Sequence, residues 1–378
     1  MDVAQVSHRY RPSIGGIENY VYRLNESIRE NGDTVTTYTS DLSIRNEASP
    51  LSAGDDVYYC KTTASVVRNP LSVELYRKVR ASEHDVYHLH SPWFLTTLAA
   101  ARALGDDVPT VMTVHGADIK PTNRLVRGLD AAYRPLAEYV FRQVDHTVAL
   151  GVTERQYLLD RFDLGPSAVS VVPNGIYPEE YRCSETTVER FRGRHDLDPG
   201  VPTVLYVSRL TPEKNPQVLV EAVNDHLPDR ELQVLVVGTG EASFRASLRK
   251  QADDRFRFLS NLPFESLKAA YNASTVFTLL GTWEGLPTVI LEAMATGLPV
   301  VATNAGAIPD AVEHGENGRL VSTPPDSGAV AAAIEYYVNR PDERATIAER
   351  NRERIDERYH WDDIAESILD IYKAVADE

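Results

Sequence analysis

The segment Glu284-Gly285-Leu286-Pro287-Thr288-Val289-Ile290-Leu291-Glu292 carries two carboxylates on either side of a helix start. It follows an apolar strand pattern, holds a proline suited to a first helical turn, and continues helically to Gly297. Backbone amides over 285–288 would face outward there, where unpaired N–H groups and the helix dipole attract an anion such as a diphosphate. Glu284 at the mouth and Glu292 farther along offer acceptors to sugar hydroxyls, each charge-assisted hydrogen bond contributing about 1.5–3 kcal/mol. The alternative is that Glu284 only caps the helix and Glu292 lies on a solvated face. Upstream, a strand over 203–208 runs into Arg209-Leu210-Thr211-Pro212-Glu213-Lys214, setting two cations at a sheet's carboxyl edge. Either cation alone reads as a surface residue in a turn. Together they can reach one diphosphate, each with a gross attraction of about 4 kcal/mol at an effective dielectric near 20.

Glycine loops and histidines add to this set. Gly15-Gly16 follows the first strand and opens a helix, and Gly238-Thr239-Gly240 does the same after 234–237, so that Gly16, Gly238 and Gly240 would let backbone approach a ligand. Neither loop has the third spaced glycine of the dinucleotide fingerprint, and no GxxxxGK[ST] occurs, which argues against nicotinamide chemistry and nucleotide hydrolysis. His115 stands just past an apolar strand, where an open sheet binds ligands, and is placed to donate to a transferred sugar. His88-Leu89-His90 has a spacing that can ligate metal but no third ligand nearby in sequence, so no metal is expected and a ligand-facing His90 is the milder reading.

The elements that must position these residues alternate along the whole chain. Strand-like runs at 35–39, 57–61, 86–90, 110–115, 147–150 and 170–172 are separated by helical periodicity over 16–31, 92–104, 124–143 and 154–162. That alternation predicts a doubly wound parallel sheet with ligands at the strands' carboxyl ends. After Pro173-Asn174-Gly175 and a polar segment over 179–200 the pattern restarts, with strands at 203–208, 233–237, 257–259, 276–280, 299–302 and 319–321 and helices over 328–339, 342–358 and 361–376. The expected division is 1–174 and 175–360, as befits a chain of 378 residues.

Composition narrows the setting. The chain opens on a short strand without a secretion signal, no apolar run is long enough for a membrane span, and Cys60 and Cys183 read as reduced thiols, all pointing to a cytoplasmic protein. The net charge of −16 combines with only 7 lysines among the 39 basic residues, a pattern read as adaptation to high salt. Most of the negative charge follows residue 174, which leaves the first half the better side for an anionic partner, or reflects chance. No nucleic-acid partner is expected. Lys120, Arg124, Arg127, Arg134 and Arg142, with Tyr133, Tyr139 and Phe141, make a helix over 120–142 that is basic for so acidic a chain. It reads either as an ordinary solvated face, interrupted by Asp130 and Glu138, or as a peripheral contact with the inner face of the cell membrane.

Taken in order, Gly15-Gly16 with Glu18, His115-Gly116, Pro173-Asn174-Gly175, Ser208-Arg209-Leu210 through Lys214, Val237-Gly238-Thr239-Gly240, and Glu284 through Glu292 into Ala293-Met294-Ala295-Thr296-Gly297-Leu298-Pro299-Val300-Val301-Ala302 resemble glycosyltransferase family 4. The resemblance spans nearly the whole chain. It implies a GT-B fold of two Rossmann-like domains, a nucleotide-diphosphate sugar as donor held mainly by the second, and a glycan, lipid-linked or small-molecule acceptor on the first. It further implies that Glu284 meets the transferred sugar, Glu292 the ribose, Arg209 and Lys214 the diphosphate, and His115 the donor sugar. Retention of anomeric configuration, no bound metal or cofactor, and a final helix over 361–378 that rejoins the first domain are implied as well. Two departures, Gly306-Ala307-Ile308-Pro309-Asp310 in place of Gly-Gly-x-x-Glu and Gly285-Leu286-Pro287 in place of Gly-Phe-Gly, lie close to the expected sugar site. A sugar-nucleotide epimerase, a glycoside phosphorylase and a non-catalytic sugar-binding protein are the competing readings.

Overall fold

The computed structural model describes residues 1–13, 15–44, 56–66, 69–105, 108–116, 124–282 and 284–377; the side chains of 43 and 124–132 are not described. The chain separates into two compact units, Met1–Asn174 with Asp362–Glu378, and Gly175–Trp361.

The first unit runs β1 (Asp2–Val6), α1 (Gly16–Glu30), β2 (Thr34–Ser40), β3 (Asp56–Cys60), a hairpin of β4 (Ala64–Val66) and β5 (Asn69–Leu71), then α2 (Val73–Arg80). It continues through β6 (Val86–His90), α3 (Leu95–Ala103), β7 (Thr110–Val114), α4 (Arg124–Phe141), β8 (His146–Ala149), α5 (Val152–Arg161) and β9 (Val169–Val171). Seven strands form one sheet in the order β3-β2-β1-β6-β7-β8-β9, every pairing parallel. Every residue of β6 and β7 is buried, as expected of strands covered by helices on both faces. The order reverses direction between β1 and β6, so the carboxyl ends of those two strands and of neighbouring β7 flank the crevice where open sheets take ligands.

The second unit begins with a 3-10 turn, Pro178–Tyr181, and α6 (Glu185–Arg194), whose start is capped by the Ser184 hydroxyl accepting from the Thr187 N–H. These fill the stretch that composition alone marks as polar connection. Then come β10 (Thr203–Val207), α7 (Pro216–His226), β11 (Gln233–Val237), α8 (Ala242–Gln251), β12 (Phe256–Leu259), α9 (Phe264–Asn272), β13 (Val276–Leu279) and α10 (Thr288–Ala295). The unit closes with β14 (Val300–Thr303), α11 (Ile308–Ala311), β15 (Gly318–Val321), α12 (Ser327–Val338) and α13 (Pro341–Arg358). Its six strands are parallel in the order β12-β11-β10-β13-β14-β15, and here the reversal falls between β10 and β13.

The last helix, α14 (Trp361–Ala376), returns to complete the first unit. Ile364, Ile368 and Tyr372 recur every fourth residue and are buried together on one face.

Candidate active site

In the second unit the chemistry collects at the reversal between β10 and β13. Leu210, just past β10, donates its N–H to the Thr239 carbonyl at 2.7 Å and bridges to Gly240. A Cβ at Gly238 would stand 1.9 Å from the Ser208 carbonyl oxygen, and one at Gly240 would stand 2.1 Å from that of Leu210. Both glycines are therefore required for two protein loops to meet, where the sequence alone suggests only approach to a ligand. A cavity of about 360 Å³ lined by Leu210, Thr211, Pro212, Glu241, Ser243 and Phe244 adjoins this loop pair. A larger one of about 420 Å³, with Arg194, Arg249 and Arg257 in its wall, lies at the β12 edge and takes in none of the site residues.

Lys214 ends a short 3-10 turn that is tied down on three sides. The buried Tyr206 hydroxyl donates to the Lys214 carbonyl at 2.7 Å, Asn215 in the left-handed region donates its amide to the Leu280 carbonyl at 2.8 Å, and Thr282 N–H reaches the Glu213 carbonyl at 3.0 Å. These bonds hold Lys214 against the end of β13, where its Nζ lies 2.6 Å from Glu284 Oε1. Both partners are largely buried. Burial raises the Glu284 carboxyl above its ordinary range, against the opposing pull of Lys214 and then of Arg209, whose own side chain is exposed.

Two glycines shape the socket of Glu284, and nothing in the local sequence marks either for that role. A Cβ at Gly281 would lie 2.0 Å from Glu284 Oε1, and one at Gly306 only 1.6 Å from the Glu284 carbonyl oxygen. Gly306 also has φ +53, so a side chain there is strained as well as blocked. The motif departure at Gly306 thus retains the glycine that the fold needs.

Helix α10 starts after Pro287, which takes the cap position ahead of the first turn, and no side chain caps it. The Thr288 and Val289 N–H groups therefore belong to the unpaired amides of a helix start. Gly285, Pro287 and Thr288 are half-buried beside them, while Leu286 is in the core. Glu292 lies one turn on and is buried, not solvated, its Oε2 accepting from the Tyr271 hydroxyl at 2.7 Å. Burial raises its carboxyl too, partly offset by hydrogen bonds from Tyr271, Tyr181 and Thr288. The helix ends where Gly297, at φ +84, turns the chain, with Gly297 N–H bonded to Met294 O and Leu298 N–H to Ala293 O.

His115 belongs to the first unit, at the carboxyl end of β7. Its Nε2 lies 3.1 Å from His90 Nδ1, its N–H reaches Ser91 Oγ at 3.1 Å, and the Tyr20 ring stands edge-on with centroids 4.9 Å apart. Burial pushes it down to about 3, so the ring is neutral. His88 and His90 share one face of β6 and spend their ring nitrogens on Tyr372, Thr113, Gln5 and His115. Among the described residues no group of three or more His, Cys, Asp or Glu is placed to hold a metal ion. At the amino end of α1, Gly16 faces open space and Gly15 is the crowded one, a Cβ there meeting Glu18 Oε2 at 2.3 Å.

The basic helix divides differently from its sequence reading. Lys120 lies outside the described residues, as do the side chains of Arg124 and Arg127. Arg134 pairs with Glu138 at 2.8 Å, and Phe141 is buried against Phe162 in the core, so this aromatic is not available to a membrane. Among the described residues no helix is long and apolar enough to cross a membrane.

Comparison with known proteins settles the class. Residues 14–180 match the family model Glycosyltransferase Family 4, and residues 187–354 match Glycosyl transferases group 1. The chain is a glycosyltransferase of the family 4 type. Its fold is GT-B: the Anabaena protein HepE, crystallised with UDP, superposes with a TM-score of 0.81 over 99% of this chain and 100% of its own, at 18% identity. This glycosyltransferase is 28% identical to the alpha-maltose-1-phosphate synthase of Mycolicibacterium smegmatis over 100% of both chains. It is 37% identical to the D-inositol 3-phosphate glycosyltransferase of Corynebacterium efficiens over 63% of this chain and 59% of that one.

Proposed function

We propose that this glycosyltransferase moves a sugar, with retention of anomeric configuration, from a nucleotide-diphosphate donor to an acceptor that carries an anionic group. One observation carries the donor half: Lys214 and Glu284 in contact at the β10/β13 reversal, with Arg209 acting on the same carboxylate. In this reading Arg209, Lys214 and the amides opening α10 receive the charge that develops on the diphosphate as its bond to the anomeric carbon breaks. The acceptor oxygen forms the new bond to that carbon, and its proton leaves to a phosphate oxygen. Glu284 and Glu292 take sugar and ribose hydroxyls, Gly285 to Thr288 border the diphosphate, and no bound metal or cofactor takes part. The UDP held by HepE supports a nucleotide donor.

The acceptor half is supported by Arg9, which follows β1 at the reversal of the first unit's sheet. Its Nε is buried without a hydrogen-bond partner among the described residues, in a chain otherwise rich in carboxylates. The names of both relatives also contain a phosphate ester.

The test pairs thermal-shift screening against a panel of nucleotide sugars with turnover assays on phosphorylated and unphosphorylated sugar acceptors. Replacing both Arg209 and Lys214 by Ala is expected to lower kcat by about 10²–10³-fold with every acceptor alike. Unchanged turnover would end the reading.

A further inference from the structure

We infer that Tyr372 and Gln5, acting through His90, are positioning residues that fix which nitrogen of His115 carries the proton. The inference rests on the proposed transfer and on the place beside the donor sugar that the family resemblance implies for His115. Its evidence is an unbroken run of hydrogen bonds inside the first unit, linking the last helix to the carboxyl end of β7.

The run can be followed atom by atom. Gln5 on β1 donates its amide N–H to the Tyr372 hydroxyl at 3.1 Å and presents its Oε1 to His90 Nε2 at 2.7 Å. An amide oxygen only accepts, so His90 carries its proton on Nε2. His90 Nδ1 is then a bare lone pair, and the 3.1 Å contact with His115 Nε2 requires the proton to sit on His115. On the other side, the Tyr372 hydroxyl has accepted from Gln5 and donates to His88 Nδ1 at 2.6 Å, while His88 Nε2–H donates to Thr113 Oγ1 at 2.8 Å. Each ring carries a single proton, because burial lowers His88 and His115 to about 3 and His90 well below its ordinary value.

One consequence changes the chemistry expected of His115. With Nε2–H committed to His90, its remaining ring nitrogen, Nδ1, is an acceptor. It would take a hydrogen bond from a sugar hydroxyl, whereas the sequence reading has it donate. The whole run can reverse about the Gln5 amide. Turned over, it would donate to His90 Nε2, force the His90 proton to Nδ1, and hand His115 the opposite tautomer. In the first orientation Tyr372 accepts from the Gln5 N–H and spends its own proton on His88 Nδ1, so the amide turns over only if the Tyr372 hydroxyl and the His88 tautomer reverse with it.

Long-range proton–nitrogen NMR on the ligand-free full chain with labelled histidine reads the tautomer directly. Wild-type His115 is expected in the Nε2–H form. Tyr372→Phe and, by a separate route, Gln5→Met should each shift it toward Nδ1–H and lower kcat about tenfold, with donor KM changed less than about twofold. Ile368→Val loosens the same helix outside the run and should move neither. Should one variant fail to fold, the other carries the test. The inference is overturned by an Nδ1–H form in wild type, by an unmoved tautomer in the folded variants, or by a moved tautomer with unchanged kcat. A wild-type chain that transfers no sugar would count against the role of His115, and the tautomer readings would still decide the hydrogen-bond run.

Discussion

At the scale of single residues, the Lys214–Glu284 pair decides most. Only 13% and 8% of the two side chains are exposed, so removing one leaves the other charged in a poorly solvated place. Lys214→Met should cost about 3–5 kcal/mol of stability. The sign of its pH dependence follows from Glu284, whose carboxyl burial already raises and whose shift Lys214 opposes. A raised carboxyl favours the folded state while protonated and penalises it as pH rises through the raised value. The deficit of Lys214→Met should therefore be small near pH 5 and larger near pH 8, measured from urea midpoints; a deficit that shrinks with rising pH would contradict it. Lys214 and Glu284 are both legible as residue types at strand ends. Their 2.6 Å contact across 70 residues of sequence is not, nor is the socket of Gly281 and Gly306, because close backbone approach leaves no mark in local pattern.

At the scale of elements, legibility follows burial. Fully buried strands such as β7, β10 and β13 read as unbroken apolar or β-branched runs, and the final helix announces itself through its periodicity. The β4–β5 hairpin, α2 and α6 escape the sequence reading, the last two because a serine cap and a short polar sequence look like loop until packing selects them. The sheet edge of the first unit supports a second prediction. His8, His88 and His115 are pushed down to about 3 and His90 is also lowered, all first by burial. Depressed histidines contribute stability above their unfolded value of 6.5 that is lost as pH falls toward about 3, at about 1.4 kcal/mol per pH unit for each ring. Hydrogen exchange, corrected for intrinsic rate, should show peptides of β1, β6 and β7 losing protection between pH 7 and pH 5.5 while β10 and β13 hold theirs. Equal loss in both sheets would remove the histidines as the cause.

At the scale of the whole molecule, the net charge of −16 governs the response to salt, and most of it falls in the part of the chain after residue 174. Raising salt from about 0.1 M to 1 M shortens the screening length from about 10 Å to about 3 Å, which relieves the self-repulsion of so many carboxylates. Tm should rise by several degrees over this range, with the larger gain in the transition of Gly175–Trp361; a flat or falling Tm would remove the high-salt reading. The restart of the strand–helix alternation after residue 175 is visible in sequence, since each Rossmann-like sheet needs its own set of apolar runs.

The discontinuity of the first unit has a consequence for biosynthesis. Gln5 and His88 leave the ribosome early, whereas Tyr372, their shared hydroxyl partner, is translated only after all of Gly175–Trp361. At about 5–20 residues per second that interval lasts roughly 10–40 s. The nascent first unit spends it without its closing helix, so a chain released short of Tyr372 can complete its second unit and still lack an ordered His115.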